Sequence, residues 1–212
     1  MSEAPRTSKL IAAGPAGDLE VLLDEPANAT SVDHVAVVCH PHPPSGGSMT
    51  NKVTHILART FCDLGTPAVR FNFRGVGKSH GTHDDGRGEV EDTLAIMRWT
   101  TLRWPNAKLQ LAGFSFGAAM ALLASLRHPV DKLITVAPAL HWLTPLHDHG
   151  PNCPWLIVQG DRDELVDAQA VRQWTDSLSQ PPTLKILTGA EHFFHGRLND
   201  LRDVVKTWLL EA

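Results

Sequence analysis

The chain has 212 residues, of which 42% are hydrophobic and 20% are charged, and its formal net charge is −4. This length and apolar content suffice for a buried core, which excludes an intrinsically disordered chain. The interspersed charges form no basic run typical of nucleic-acid binding, and no apolar run is long enough to span a membrane.

The N-terminal segment, residues 1–20, lacks the apolar stretch of a secretory signal peptide. Two of the three cysteines, Cys39 and Cys62, lie in apolar surroundings, which suits reduced thiols in a core. We therefore expect a cytoplasmic protein without a membrane or nucleic-acid partner.

Short apolar runs bounded by turn residues alternate with amphipathic segments along the chain. The first two runs flank the turn signal GPAGD and predict a β-hairpin. The predicted strands are, in chain order, 8–13, 18–26, 33–41, 67–75, 108–114, 132–140, 154–161 and 183–189. The predicted helices are 49–65, 88–104, 116–129, 167–179 and 196–212.

This alternation predicts an α/β fold with a mostly parallel, twisted, eight-stranded sheet and helices on both faces. The hairpin adds an antiparallel edge. No internal repeat, low-complexity tract or linker interrupts residues 1–212, so we predict a single domain.

The segment GFSFG, residues 113–117, lies where a predicted strand meets a predicted helix that is apolar nearly all round. Such a G-x-S-x-G turn is typical of a nucleophile elbow, in which a strained backbone exposes the central serine. Ser115 is therefore the candidate nucleophile, with small residues two positions away on each side because those positions crowd together.

A nucleophilic serine needs a base, and the base needs a carboxylate that orients it. Functional groups in a parallel sheet gather beyond the carboxyl ends of the strands. His192 follows the last predicted strand closely and is the preferred base, whereas His195 is interpreted as a turn or surface residue.

Four acidic residues follow the strand at 154–161. Asp163 is the preferred orienting acid because a loop can bend it towards a histidine, whereas Asp161 is expected to shape the turn. Glu164 and Asp167 are weaker candidates, and Asp167 is a plausible helix N-cap.

Acyl transfer also needs two N–H donors for the developing oxyanion. The Phe116 N–H, directly after the serine, is one candidate. The segment HPHPPSGGSM, residues 40–49, carries three prolines without N–H groups, which leaves His42 as the donor between them. We predict the His42 N–H as the second donor, with Ser45 or Gly46 as the fallback.

Two other interpretations concern the same regions. His40 and His42 have a spacing that could bind a metal, but no further motif such as H-E-x-x-H accompanies them, so we predict no metal site. The segment RGVGKS, residues 74–79, resembles a phosphate-binding loop, but Asn72 stands where that pattern needs glycine. We predict a turn there, with Arg74 paired to an acid of the next helix.

The chain resembles the α/β-hydrolases, and within them a small, lidless bacterial group of predicted serine hydrolases with an H-P-H-P loop. The matching segments are spread over most of the chain after residue 38: HPHPPSGGSMTNKV, RFNFRGVGKSHG, GEVEDTLA, GFSFG, GDRDELV and EHFFHGRL. The resemblance implies a triad of Ser115, Asp163 and His192, esterase-type activity on small esters, and no cofactor.

Only a short loop separates the strands at 132–140 and 154–161, where related folds insert a lid. We therefore expect an open site for small or short-acyl esters, with Phe114, Trp142 and Phe193 as candidate substrate-binding walls beside Phe116. The alternatives are a thioesterase, lactonase or peptidase on the same site, a non-catalytic binding protein, and a nucleotide-binding protein that uses residues 74–79.

Overall fold

The computed structural model describes residues 6–27, 31–143 and 150–212. The strands are β1 (Arg6–Gly14), β2 (Gly17–Glu25), β3 (His34–Cys39), β4 (Ala68–Phe71), β5 (Lys108–Phe114), β6 (Lys132–Val136), β7 (Trp155–Gly160) and β8 (Thr183–Leu187). The helices are α1 (Lys52–Asp63), α2 (Arg87–Arg103), α3 (Phe116–Arg127), α4 (Ala168–Asp176) and α5 (Leu198–Glu211).

These strands form one sheet in the order β1-β2-β4-β3-β5-β6-β7-β8. Strand β2 pairs antiparallel with both β1 and β4, and all later pairs in the sheet are parallel. The predicted fold class, an eight-stranded and mostly parallel sheet with an antiparallel hairpin at its edge, is confirmed.

Five strands, β3, β4, β6, β7 and β8, are shorter than the sequence predicts, and β4 and β6 differ most from the prediction. Strand β4 ends at Phe71, and the chain turns shortly afterwards, where the Val76 N–H donates a hydrogen bond to the Phe73 carbonyl at 3.1 Å. Strand β6 ends at Val136 because Ala137 has a φ of 45°, which no extended strand can contain.

Each face of the sheet has its own core. One core joins α2 and α3 to the sheet through residues such as Ile96 and Met120, and the other joins α1 and α5 through residues such as Phe61 and Val205. A helix-covered sheet explains why the central strands are apolar on both faces.

The carboxyl ends of four parallel strands position the predicted site. The loop at 40–49 follows β3, Ser115 follows β5, Asp163 follows β7 and His192 follows β8. Between β6 and β7, the described residues contain one 3₁₀ turn, Leu140–Trp142, and no lid helix. No helix within the described ranges is long and apolar enough to cross a membrane.

Candidate active site

Ser115 occupies a strained turn between β5 and α3. Its φ of 56° and ψ of −116° lie outside the regions that L-residues ordinarily adopt. A Cβ atom on Gly113 would overlap the backbone of Gly117, and one on Gly117 would overlap the carbonyl oxygen of His40. The residues two positions before and two positions after the serine must therefore be glycine for the chain to turn so sharply.

His192 bridges Ser115 and Asp163. Its Nε2 lies 3.1 Å from Ser115 Oγ, and its Nδ1 lies 2.8 Å and 3.0 Å from the two Asp163 carboxylate oxygens. The His192 side chain is 2% exposed and the Asp163 side chain is fully buried. The carboxylate can thus hold the Nδ1–H tautomer, which leaves the Nε2 lone pair directed at the serine hydroxyl.

The Asp163 carboxylate is surrounded by donors. Oδ1 accepts hydrogen bonds from the backbone N–H groups of Leu165 and Val166 at 2.9 Å and 2.7 Å, and Oδ2 accepts one from the Gln159 side chain at 2.9 Å. Burial raises the pKa of this carboxyl, but the hydrogen bonds from His192, Val166 and Leu165 outweigh it and hold the pKa below its ordinary value. The group is therefore a stable anion beside the imidazole.

The other acids and the second histidine of the sequence analysis have different surroundings. Asp161 is exposed and accepts a hydrogen bond from the Gly189 N–H at 2.6 Å. Asp167 caps α4. His195 is exposed, with Nδ1 3.6 Å from Glu191. The structure thus brings Asp163 and His192, not these residues, to Ser115.

The backbone hydrogen bonds of the proline loop distinguish His42 from the fallback donors. The His42 carbonyl accepts hydrogen bonds from the N–H groups of Ser45 and Gly47, and the Pro43 carbonyl accepts one from Gly46. The fallback donors Ser45 and Gly46 are therefore occupied within the loop. The His42 N–H has no hydrogen-bond partner among the described residues.

The other candidate oxyanion donor is the N–H of Phe116, the first residue of α3. The first N–H groups of a helix have no intrahelical partner and carry a partial positive charge. The rings of Phe116 and His42 are 5.4 Å apart, so the loop and the helix start are in contact.

His40 anchors the loop to the strand beside it. Its Nδ1 lies 2.7 Å from the Pro41 carbonyl oxygen, and its Nε2 accepts a hydrogen bond from the Phe73 N–H at 3.0 Å. Burial lowers the pKa of His40 to about 3, although the Pro41 carbonyl favours the charged form. Both ring nitrogens are engaged with backbone, which leaves neither free to bind a metal.

The four aromatic side chains proposed as walls differ in exposure. Phe114 is fully buried, with its ring 5.0 Å from the His192 ring, and it offers no surface to a ligand. Phe116 is also buried. Phe193 is 39% exposed and Trp142 is partly buried, with its ring 5.1 Å from that of Phe116. Phe193 and Trp142 are therefore the two that a substrate can reach.

The turn at 74–79 already holds an internal carboxylate. The Lys78 N–H and the Asn72 side chain both donate hydrogen bonds to Glu20 Oε2, at 3.1 Å and 2.9 Å. Arg74 pairs with Asp92 of α2, at 2.8 Å. Within residues 74–79, the Lys78 N–H is directed at Glu20, and the Val76 and Ser79 N–H groups donate to the Phe73 and Val76 carbonyls, so this segment is a turn.

The sequence analysis missed Gln159, which donates to Asp163. The available signal was a single polar residue in the otherwise apolar run WLIVQG of β7. It also missed Glu164 as a partner of the base: Glu164 Oε2 accepts a hydrogen bond from the His192 backbone N–H at 3.2 Å.

Known proteins resemble this chain over nearly its whole length. The family described as serine aminopeptidase S33 matches residues 32–150, a range that includes Ser115. An uncharacterized protein of Rickettsia prowazekii (strain Madrid E) is 34% identical, over 93% of this chain and 86% of that protein.

Two solved structures are more similar. An alpha-beta serine hydrolase homologue from Coxiella burnetii has 42% identity and a TM-score of 0.91, over 95% of this chain and 97% of that one. A serine hydrolase without a lid from Xanthomonas campestris has 42% identity and a TM-score of 0.87, over 95% of this chain and 93% of that one.

Proposed function

We propose that this chain, which belongs to the serine aminopeptidase S33 family of α/β serine hydrolases, is a carboxylesterase-type enzyme for small or short-acyl esters. The observation that carries the proposal is the 3.1 Å approach of His192 Nε2 to Ser115 Oγ. With Asp163 on the far side of the imidazole, the three groups have the order and contacts of a Ser-His-Asp triad.

In the proposed mechanism, Ser115 Oγ attacks the ester carbonyl while His192 Nε2 accepts the hydroxyl proton. The buried Asp163 anion stabilises the imidazolium that forms. His192 then gives its proton to the leaving alcohol, which leaves an acyl group on Ser115. A water molecule, deprotonated by the same imidazole, hydrolyses this acyl-enzyme and restores the serine.

The N–H groups of His42 and Phe116 are the proposed oxyanion donors. Among the described residues the His42 N–H has no partner, whereas the Ser45, Gly46 and Gly47 N–H groups of the same loop are occupied, and this difference supports the role. The prolines and the His40 contacts hold the loop before substrate arrives, and such preorganised donors cost little reorganisation during the reaction.

The surroundings of Ser115 favour a small substrate. The described residues between β6 and β7 form only one 3₁₀ turn over the site, and Trp142 and Phe193 supply limited apolar surface at its rim. We propose that these two side chains contact the acyl or alcohol group.

Amide hydrolysis is the second candidate, because the family takes its description from a serine aminopeptidase. Thioester and lactone hydrolysis would use the same groups. Initial rates on matched p-nitrophenyl esters, thioesters, lactones and aminoacyl p-nitroanilides rank these reactions. A higher kcat/KM on the anilides would replace the esterase proposal with a peptidase.

Ser115→Ala tests the nucleophile. We expect turnover of p-nitrophenyl acetate to fall to background, because the variant lacks the hydroxyl oxygen that forms the acyl-enzyme. The circular dichroism spectrum should match that of the unchanged protein. Turnover retained by the folded variant would contradict the proposal.

A fluorophosphonate probe tests the same group without a substrate. We expect mass spectrometry to locate the label on Ser115, and prior treatment with the probe to abolish ester turnover. A protein that hydrolyses none of the substrates and takes up no label would instead be a binding protein on this fold.

A further inference from the structure

Gln159 is a polar side chain at a strand position that faces a hydrophobic core. It is fully buried, near the carboxyl end of β7, in the run WLIVQG. The alternate residues Trp155 and Ile157 on the same face of the strand belong to a hydrophobic core. The strand pattern therefore predicts an apolar residue at position 159, whereas the chain has the side-chain amide of glutamine there.

The surroundings of this amide determine its orientation. Gln159 Nε2 lies 2.9 Å from Asp163 Oδ2, 3.0 Å from the Val166 carbonyl oxygen and 3.3 Å from the Gly160 carbonyl oxygen. All three neighbours are acceptors, so the donor nitrogen must face them. The opposite atom, Gln159 Oε1, is buried without a hydrogen-bond partner among the described residues.

A buried acceptor without a partner reduces stability, because it has lost its hydrogen bonds to water. Leucine or methionine would fill the same space without that cost. The amide is thus explained by its N–H group, which contacts both the Asp163 carboxylate and the backbone of the loop that carries it.

We propose that Gln159 is a positioning residue that holds the Asp163 carboxylate against His192 in the hydrolase proposed above. Backbone donors fix Asp163 Oδ1, and Gln159 is a side-chain donor on Oδ2 in addition to His192 itself. Together they fix the rotation of the carboxylate, so that both of its oxygens face the imidazole Nδ1. Gln159 acts through Asp163 and has no contact with the reacting atoms.

The test replaces the amide with apolar side chains, as Gln159→Met and Gln159→Leu. The matched control is Gln110→Met, because Gln110 is a buried glutamine of β5 that lies five residues before Ser115. We expect kcat for p-nitrophenyl acetate to fall about tenfold in the Gln159 variants, as for loss of one hydrogen bond to a charged group, with KM unchanged.

The pH profile separates positioning from a packing defect. Without the Gln159 hydrogen bond, the Asp163 carboxylate attracts the His192 imidazolium more strongly. The acidic limb of kcat/KM should therefore move to higher pH in both Gln159 variants. The limb should not move in Gln110→Met. The other acids nearby, Asp161 and Glu164, are exposed and the same in all variants.

The readouts also separate this inference from the proposed function. The low-field NMR resonance of the proton between His192 and Asp163 reports their hydrogen bond without substrate, and we expect it to shift or broaden only in the Gln159 variants. The inference would be overturned if a folded Gln159 variant kept the same resonance, the same kcat and the same acidic limb of kcat/KM as the unchanged protein. Absence of esterase turnover in the unchanged protein would overturn the proposed function, and the resonance would still decide the role of Gln159.

Discussion

At the scale of the residue, the candidate site is marked by backbone strain. Ser115 and Ala137 both have positive φ values, 56° and 45°, and Phe194 has 53°. Ser115 and Ala137 directly follow β5 and β6, and Phe194 lies two residues after His192, whereas Asp85, the other non-glycine residue with positive φ among those described, lies before α2. Such conformations persist only where surrounding contacts impose them, so their position here supports a functional origin for the strain.

The strain at Ser115 can be measured by comparing two inactive variants. Ser115→Gly should be more stable than Ser115→Ala by about 1 kcal/mol, because glycine adopts a positive φ without the steric cost that alanine pays. Urea unfolding of the two proteins gives the difference. Equal stabilities would mean that the turn carries no strain.

At the scale of the element, buried polar contacts join the loops to the helices behind them. The Asp92 carboxylate of α2 accepts hydrogen bonds from the Arg74 guanidinium at 2.8 Å and 3.0 Å and from the Arg74 backbone N–H at 3.0 Å. These hydrogen bonds hold the pKa of Arg74 above its ordinary value. These contacts hold the chain after β4 against α2. Arg74 directly follows Phe73, whose backbone N–H donates a hydrogen bond to His40 Nε2.

Asp92→Asn tests this link. The Asp92 side chain is fully buried and Arg74 is 12% exposed, so the variant leaves a buried cation without its anion, and we expect a loss of about 3 kcal/mol in the free energy of unfolding.

Glu91→Gln is the control, because Glu91 pairs with Arg127 at the surface and both side chains are about half exposed. That variant should lose less than about 1 kcal/mol. Similar losses in the two variants would show that Asp92 contributes no more than a surface ion pair.

At the scale of the whole molecule, stability should depend on pH through His40. The pKa of this histidine is about 3 in the folded protein and 6.5 as its ordinary value, so between these pH values the unfolded chain binds a proton that the folded protein does not. Stability is therefore greatest above pH 6.5 and falls as pH decreases, by up to about 1.4 kcal/mol per pH unit.

Urea unfolding at several pH values between 7.5 and 4 measures this slope. His40→Gln should be less stable at pH 7.5 but should lose most of the slope, because glutamine does not titrate. The lowered pKa of Asp163 acts in the same direction only at lower pH, below the ordinary value of 3.8. An unchanged slope in His40→Gln would assign the pH dependence to other groups.

Most of the fold follows from local patterns. Apolar runs in alternation with amphipathic segments predict the strands and helices, and GFSFG predicts the turn at Ser115, because both signals arise between residues close together in the chain. The ends of β4 and β6 were predicted too late, since turns such as the one at Ala137 depend on contacts with neighbouring strands.

The sequence by itself determined the fold class and the few residues that could perform the chemistry, because these depend on periodicity and on the order of elements. Only the tertiary structure decided which of them meet: Asp163 rather than Asp161 lies beside His192, with Gln159 behind its carboxylate. It also decided that Ser45 and Gly46 have backbone partners, whereas the His42 N–H has none among the described residues. Hydrogen bonds between residues distant in the chain require distances and directions of about ångström accuracy, which sequence spacing does not contain.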